Sequence, residues 1–249
     1  MVEDYHFEDF TESNYQNILD LIKKNYKTIF FSDYKKPGKN LLLRHDVDFS
    51  IHRAYRLAQI ESENSIYSTF FLWMHSPYYN ILEEEICELI NQIKSLGHQI
   101  GLHFDSGFYR RRGLDRNTIL EYMAFEKDIL ERLFEQSVTA FSFHDPTDEV
   151  LKHYTDDMYC GMVNTYSQYL KTHYDYCSDS NGYWRYRRLE DVLVEAKSEN
   201  LQVLLHPEWW TPEVMSPRQR ISRCIDGRCR RNHEHYDSQI ERDGRLNVR

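Results

Sequence analysis

Residues 41–48 read LLLRHDVD. An unbroken apolar run ending in charge is what a strand buried on both faces of a parallel sheet looks like. Ser50 follows as a helix N-cap, with Ala54, Leu57 and Ala58 on one face behind it. Residues 68–74 (STFFLWM) predict a second strand. Residues 80–96 predict a helix with Leu82, Ile86, Leu89, Ile90 and Ile93 at helical spacing, stopped by Gly97. Residues 98–103 predict a third strand, 117–136 a long helix and 140–144 a fourth strand. Shorter strands are predicted at 162–166 and 174–178, a helix at 189–200, and a last strand at 201–206 (LQVLLH). Upstream, 14–26 predicts an amphipathic helix and 28–32 a short strand.

Strand–helix repeats of this kind imply parallel strands joined by right-handed crossovers, an α/β fold. The 249 residues suit one α/β barrel or one doubly wound sheet. With no linker, repeat or Pro/Gly-rich break, the expectation is one domain over 1–249. Its core would span about 41–210, with an N-terminal helix/strand extension and a C-terminal helical tail. In such folds the site gathers at the carboxyl ends of the strands. There the sequence puts Asp46 and Asp48, His103, His144 and His206, at the ends of otherwise apolar strands.

Composition narrows the partners. A formal net charge of −9 argues against nucleic acid or an anionic membrane surface. No apolar run approaches the ~20 residues of a membrane span. The acidic start MVEDYHFEDF lacks the pattern of a secretory signal, so the expected location is cytoplasmic. Five cysteines without regular spacing fit reduced thiols. Arg110, Arg111 and Arg112 form a basic cluster that could attract a phosphate-bearing substrate. The basic run 218–231 reads as solvated surface.

Asp46 and Asp48 are two apart, so on an extended strand they point the same way, about 7 Å apart. One could bind a divalent cation while the other accepts a proton from water. His98 and His103 are five apart and face opposite sides of a strand. His103, at the end, is the better ligand, and His98 fits a structural hydrogen bond. Asp105 shares the parity of His103 and could bind metal or substrate, hold the imidazole, or serve only as a turn residue. His144 ends the neighbouring strand. His206 is the side chain suited to protonate a leaving amine near neutral pH. Trp209 and Trp210 behind it suit stacking on a sugar ring. Asp179 could orient a catalytic group or contact sugar hydroxyls, and Trp184 and Arg185 are weaker substrate candidates.

HDVD, GHQIGLH and LLHP resemble, in order and spacing, the first, second and last motifs of the polysaccharide (NodB-homology) deacetylases, over about residues 41–210. FSFHDP and YCSDSNGYW look like a bacterial subgroup linked to surface-polysaccharide synthesis. The resemblance implies a distorted (β/α)7-type parallel barrel and a metal-dependent removal of an N-acyl group from an amino sugar. It also implies Asp46 as base, Asp48 and His103 as ligands of one divalent ion, zinc first, and His206 as catalytic acid. The family's second metal histidine falls at Gly107 here, which makes His144 the candidate replacement and Asp105 the next. The family's third motif also brings an arginine to the base, and FSFHDP has none.

The expected substrate is a carbohydrate, a nucleotide- or lipid-linked amino sugar among the options. A second reading is a non-catalytic carbohydrate-binding homologue that has lost its metal and keeps Trp209 and Trp210. A third, a glycosidase pairing Asp46 or Asp48 with Glu208, leaves the histidines without a task. The tail cluster Cys224, Cys229, His233 and His235 is a candidate structural zinc site with spacing poor for tetrahedral closure.

Overall fold

The computed structural model describes residues 5–184 and 186–248. Its strands are β1 (Lys27–Thr28), β2 (Asn40–Val47), β3 (Thr69–Leu72), β4 (Gln99–Phe104), β5 (Ala140–Phe143), β6 (Met158–Tyr159), β7 (Met162–Asn164), β8 (Asp175–Ser178) and β9 (Leu201–Leu205). They form one sheet in the order β6-β7-β5-β4-β3-β2-β9-β8, with β1 also on β2. Seven strands, from β7 through β2 to β8, are parallel, and only β6 runs antiparallel, to β7. No ladder joins the two ends among the described residues. The sheet is therefore a curled, open barrel of the (β/α)7 type.

The pleat sorts β2 into two faces. Leu41 and Leu43 pack outward with Leu57 and Ile60 of the helix Ile51–Glu63. Leu42 points inward, with Phe71, Ala140 and Val163. Arg44 and Asp46 share the inward parity, so the hydrophobic register fixes where the charges go. Gly101, on β4, meets the inner layer: a Cβ there would lie 2.5 Å from the Phe71 ring.

Between β2 and the helices the outer layer is polar at one point. Glu61 is buried and accepts from Ser68 Oγ at 2.5 Å and Tyr15 Oη, with His45 Nε2 at 2.6 Å. His98 lies alongside, its Nδ1 accepting from the Ser68 amide and its Nε2 2.9 Å from the Ala58 carbonyl oxygen. This is the structural histidine that parity predicts. The pairing satisfies groups whose burial alone would be costly.

Several elements differ from the sequence expectation. After β1 the chain turns into a 3-10 helix, Phe31–Asp33, where 28–32 predicted a strand. The helix expected at 80–96 is Glu84–Ser95, which leaves Leu82 in the preceding turn and 65% exposed. The helix expected to reach residue 200 ends at Glu195, with Ala196 left-handed at φ 45°. The tail is one 26-residue helix, Pro217–Arg242, opened by a capping box at Ser216 and Gln219.

The inner layer is tight enough to test. Gly101→Ala should cost about 1–3 kcal/mol, as overpacking does, and Phe71→Leu in the same chain should recover much of it. Urea unfolding measures both; an undisturbed Gly101→Ala would contradict this packing.

Candidate functional site

The carboxyl ends of β2, β4, β5 and β9 bring the predicted residues to one mouth. Asp48, one residue past β2, has its Oδ1 3.2 Å from His103 Nε2 and 3.4 Å from His144 Nδ1. The two ring nitrogens are 3.1 Å apart. One atom from each residue lies within 4.8 Å of the others, a grouping able to hold a metal ion.

The donor set fits a divalent cation. Asp48 Oδ1 is buried and has no hydrogen-bond partner of acceptable geometry. Two imidazole nitrogens this close need a proton or a cation between them. The far side of His103 also selects the ligand tautomer. Ser142 Oγ donates to Asp46 Oδ1 at 3.1 Å and lies 2.7 Å from His103 Nδ1. With the hydroxyl proton committed to Asp46, Nδ1–H donates to Ser142 and Nε2 keeps its lone pair. Burial acts to raise the Asp48 carboxyl, but His103 and His144 hold it well below the usual range. Burial acts to lower His144, and the Asp48 carboxylate raises it.

Asp46 lies just below, 2% exposed. Arg44 Nη2 donates to its Oδ2 at 3.0 Å and to Tyr166 Oη at 2.8 Å. Arg44 thus puts a guanidinium beside Asp46 from the same strand, where FSFHDP supplies none. The signal was present in the sequence, since residues i and i+2 of a strand share a face. Trp73, at the end of β3, was also missed. Its indole stacks on the His144 ring, with centroids 3.7 Å apart and planes at 19°, and so fixes that imidazole.

His206 faces the group from the end of β9. Asp179, fully buried, receives the His206 amide, lies 2.7 Å from His206 Nδ1, and accepts from Trp210 Nε1 at 3.1 Å. Burial would lower the imidazole pKa, but the Asp179 carboxylate overrides it and carries His206 up to about 10. Burial and the nearby Asp48 charge push the Glu208 carboxyl well above its ordinary range. A neutral, enclosed Glu208 gives the glycosidase reading no exposed carboxylate.

Other predicted substrate contacts are corrected. Trp210 is fully buried against Phe10 and Tyr15, and Trp209 is 8% exposed, so neither presents a free face to a sugar. The N-terminal segment covers Trp210, and the Trp209 ring lies against Phe49. Trp184 stacks on Phe10 and donates to Asp9 Oδ2 at 2.8 Å, a packing role. Asp105 caps the short helix Ser106–Arg110 by accepting from the Phe108 amide at 2.8 Å and stays outside the three-residue group. Arg185 lies outside the described residues.

A side chain at Gly107 would begin 2.9 Å from Arg111 Nη1 and 3.0 Å from Asp105 Oδ1, in a crowded turn. Of the basic cluster, Arg110 lies 3.7 Å from Glu149, Arg111 3.7 Å from Asp105, and Arg112 covers the Phe108 ring. The tail residues Cys224, Cys229, His233 and His235 all lie on the helix Pro217–Arg242. At about 100° per residue Cys229 and His233 share one face while Cys224 and His235, eleven residues apart, lie on the other side, and the four form no metal-binding group among the described residues.

No protein-family model and no curated protein matches the chain. Solved structures that match include carbohydrate esterase family 4 proteins and deacetylases. A mutant of a family 4 pseudoenzyme from Bacillus anthracis, with restored enzymatic activity, is 17% identical at TM-score 0.43, over 78% of this chain and 64% of its own. The chain thus spans less than two thirds of that protein. A family 4 carbohydrate esterase from Bacillus anthracis is 17% identical at TM-score 0.43, over 86% of this chain and 85% of its own. The chitin deacetylase of the fungal pathogen Colletotrichum lindemuthianum is 14% identical at TM-score 0.42, over 78% and 84%. Residue assignments rest on the motifs and on the geometry above. By motif order, seven parallel strands and a His/Asp group at their carboxyl ends, the chain resembles the NodB-homology polysaccharide deacetylases.

Proposed function

We propose that this chain is a metal-dependent hydrolase that removes an N-acyl group, acetyl first, from an amino sugar destined for a surface glycan. The observation that carries this reading is the convergence of Asp48, His103 and His144 beside a restrained Asp46 and across from His206. Asp48, His103 and His144 would hold the ion, zinc first, since two imidazoles and a carboxylate form a common catalytic zinc set. Bound there, the ion supplies a Lewis acid that lowers the pKa of water and stabilises charge on the acyl oxygen.

The chain's own groups supply the proton transfers. Asp46 accepts a proton from the attacking water, its two oxygens aimed by Arg44 and Ser142. A C–O bond forms at the acyl carbon, the C–N bond breaks, and the departing amine takes a proton from His206. Asp179 keeps that proton on His206 at neutral pH. The products are a small carboxylate and a free amino sugar. The substrate we infer is a nucleotide- or lipid-linked amino sugar in the cytoplasm; the five cysteines, all unpaired, suit a reducing compartment. The reading as a binding homologue loses the support it drew from Trp209 and Trp210, both of which are packed away.

Elemental analysis of folded protein should find about one transition metal per chain, and His144→Ala should lose most of it. Asp46→Asn should keep the metal and lose about 10²–10⁴ in turnover of N-acetylated amino sugars; full activity would contradict the base assignment. The acid form of His206 is fully present at low pH and disappears as pH rises through about 10. Turnover should therefore fall on the alkaline side, and Asp179→Asn should move that limb at least about one pH unit toward acid. An unmoved limb would contradict the pairing.

A further inference from the structure

The proposed chemistry leaves unused a groove that begins at the same strand end. Two adjoining cavities of ≈ 490 and ≈ 410 Å³ lie between the helix Pro217–Arg242 and the segments after β2 and β3, and Phe49, Tyr78 and Arg228 line both. Phe49 directly follows Asp48, and Ser76, which lines the ≈ 490 Å³ cavity, donates from its Oγ to the Asp48 carbonyl at 3.0 Å. The groove is thus tied to the same chain segment, although no residue of the His/Asp group lines it.

Its walls hold a small excess of positive charge in a chain of net charge −9. Five arginines stand against Glu234 in the lining of the ≈ 410 Å³ cavity and Glu12, Glu83 and Glu85 behind it. Glu12 pairs Arg53, Glu83 pairs Arg228 and Glu85 pairs Arg231. Arg223 and Arg230 are exposed and make no ion pair among the described residues. Burial, then Arg231 and Arg228, hold His52 on the same wall below its ordinary pKa, as a positive local field would. The Phe49 and Tyr78 rings, 4.1 Å apart at 33°, offer aromatic faces beside these cations.

Gly227 adds an independent sign. It sits inside the long helix, lines the cavity, and a Cβ there would meet nothing within 4 Å. Glycine weakens a helix interior, and no packing demands it here. The gap leaves room for a ligand to approach the backbone.

We propose that this groove binds a nucleoside diphosphate, with arginines on the pyrophosphate and the Phe49–Tyr78 pair against the base. On the deacetylase reading, this would be the carrier of the amino sugar. Arginine forks suit phosphate oxygens and aromatic faces suit bases.

Calorimetric titration of the full chain with UDP, GDP, inorganic pyrophosphate and uridine tests it. A nucleoside diphosphate should bind at least about tenfold more tightly than pyrophosphate or uridine. Arg223→Glu with Arg230→Glu should weaken it at least about tenfold. Gly227→Trp should block it, and Gly227→Ala should weaken it, since its Cβ takes up part of the space left at the helix backbone. Binding should persist with a chelator present, which separates this proposal from the metal chemistry. No binding of UDP or GDP at millimolar concentration, or binding indifferent to the charge reversals, would overturn it. Equal affinity for pyrophosphate would overturn the nucleoside assignment and leave a lipid pyrophosphate as the carrier.

Discussion

The alternation along β2 is the constraint on which the site depends. Leu41 and Leu43 must face the helices, and that choice forces Arg44 and Asp46 into the barrel. A one-residue slip would turn both charges into the apolar layer and expel Asp46 from the mouth. Inside, the two charges need each other: both are almost completely enclosed, 3.0 Å apart. Removing either strands the other in a medium that tolerates unpaired charge poorly.

The same logic governs the barrel mouth. Asp46, Asp48 and Asp179 are each held by basic side chains, for Asp46 from its own strand and β4, for Asp48 and Asp179 from other strands. Arg44 and, through Ser142, His103 serve Asp46; His103 and His144 serve Asp48; His206 serves Asp179. Such pairing separates the roles of chemically similar groups. An aspartate–histidine pair held apart from the three-residue group retains a proton, while the group itself presents lone pairs. Trp73 and Trp210 belong to this arrangement as supports, one fixing the His144 ring and the other donating to Asp179.

Much of this was legible in residue order. Apolar runs ending in Asp or His locate strand ends, and parity correctly separates His98 from His103. It also places Arg44 with Asp46, a consequence that motif comparison obscures because it looks for an arginine on another strand. What was not legible depends on chain segments distant in sequence. Trp209 and Trp210 read as a platform until the N-terminal Phe10 and Tyr15 are seen to cover Trp210. Asp105 reads equally as a ligand, a partner of His103 or a turn residue, and only the folded turn, where it caps a helix, selects the last. The tail arginines read as solvated surface until the long helix lies across the segments after β2 and β3 and turns them into a wall. Spacing alone suggested a cysteine–histidine site in that helix, and helical geometry disperses it.

The central claim is that Asp48, His103 and His144 replace a ligand set that Gly107 cannot complete. A crystal structure of protein loaded with zinc, with anomalous data at the zinc edge, tests it most directly. The account predicts one strong peak within about 2.0–2.2 Å of Asp48 Oδ, His103 Nε2 and His144 Nδ1, with Asp46 and His206 unbound on either side. A peak held by Asp105 or Glu208 in place of His144, or no peak at this end of the barrel, would contradict it.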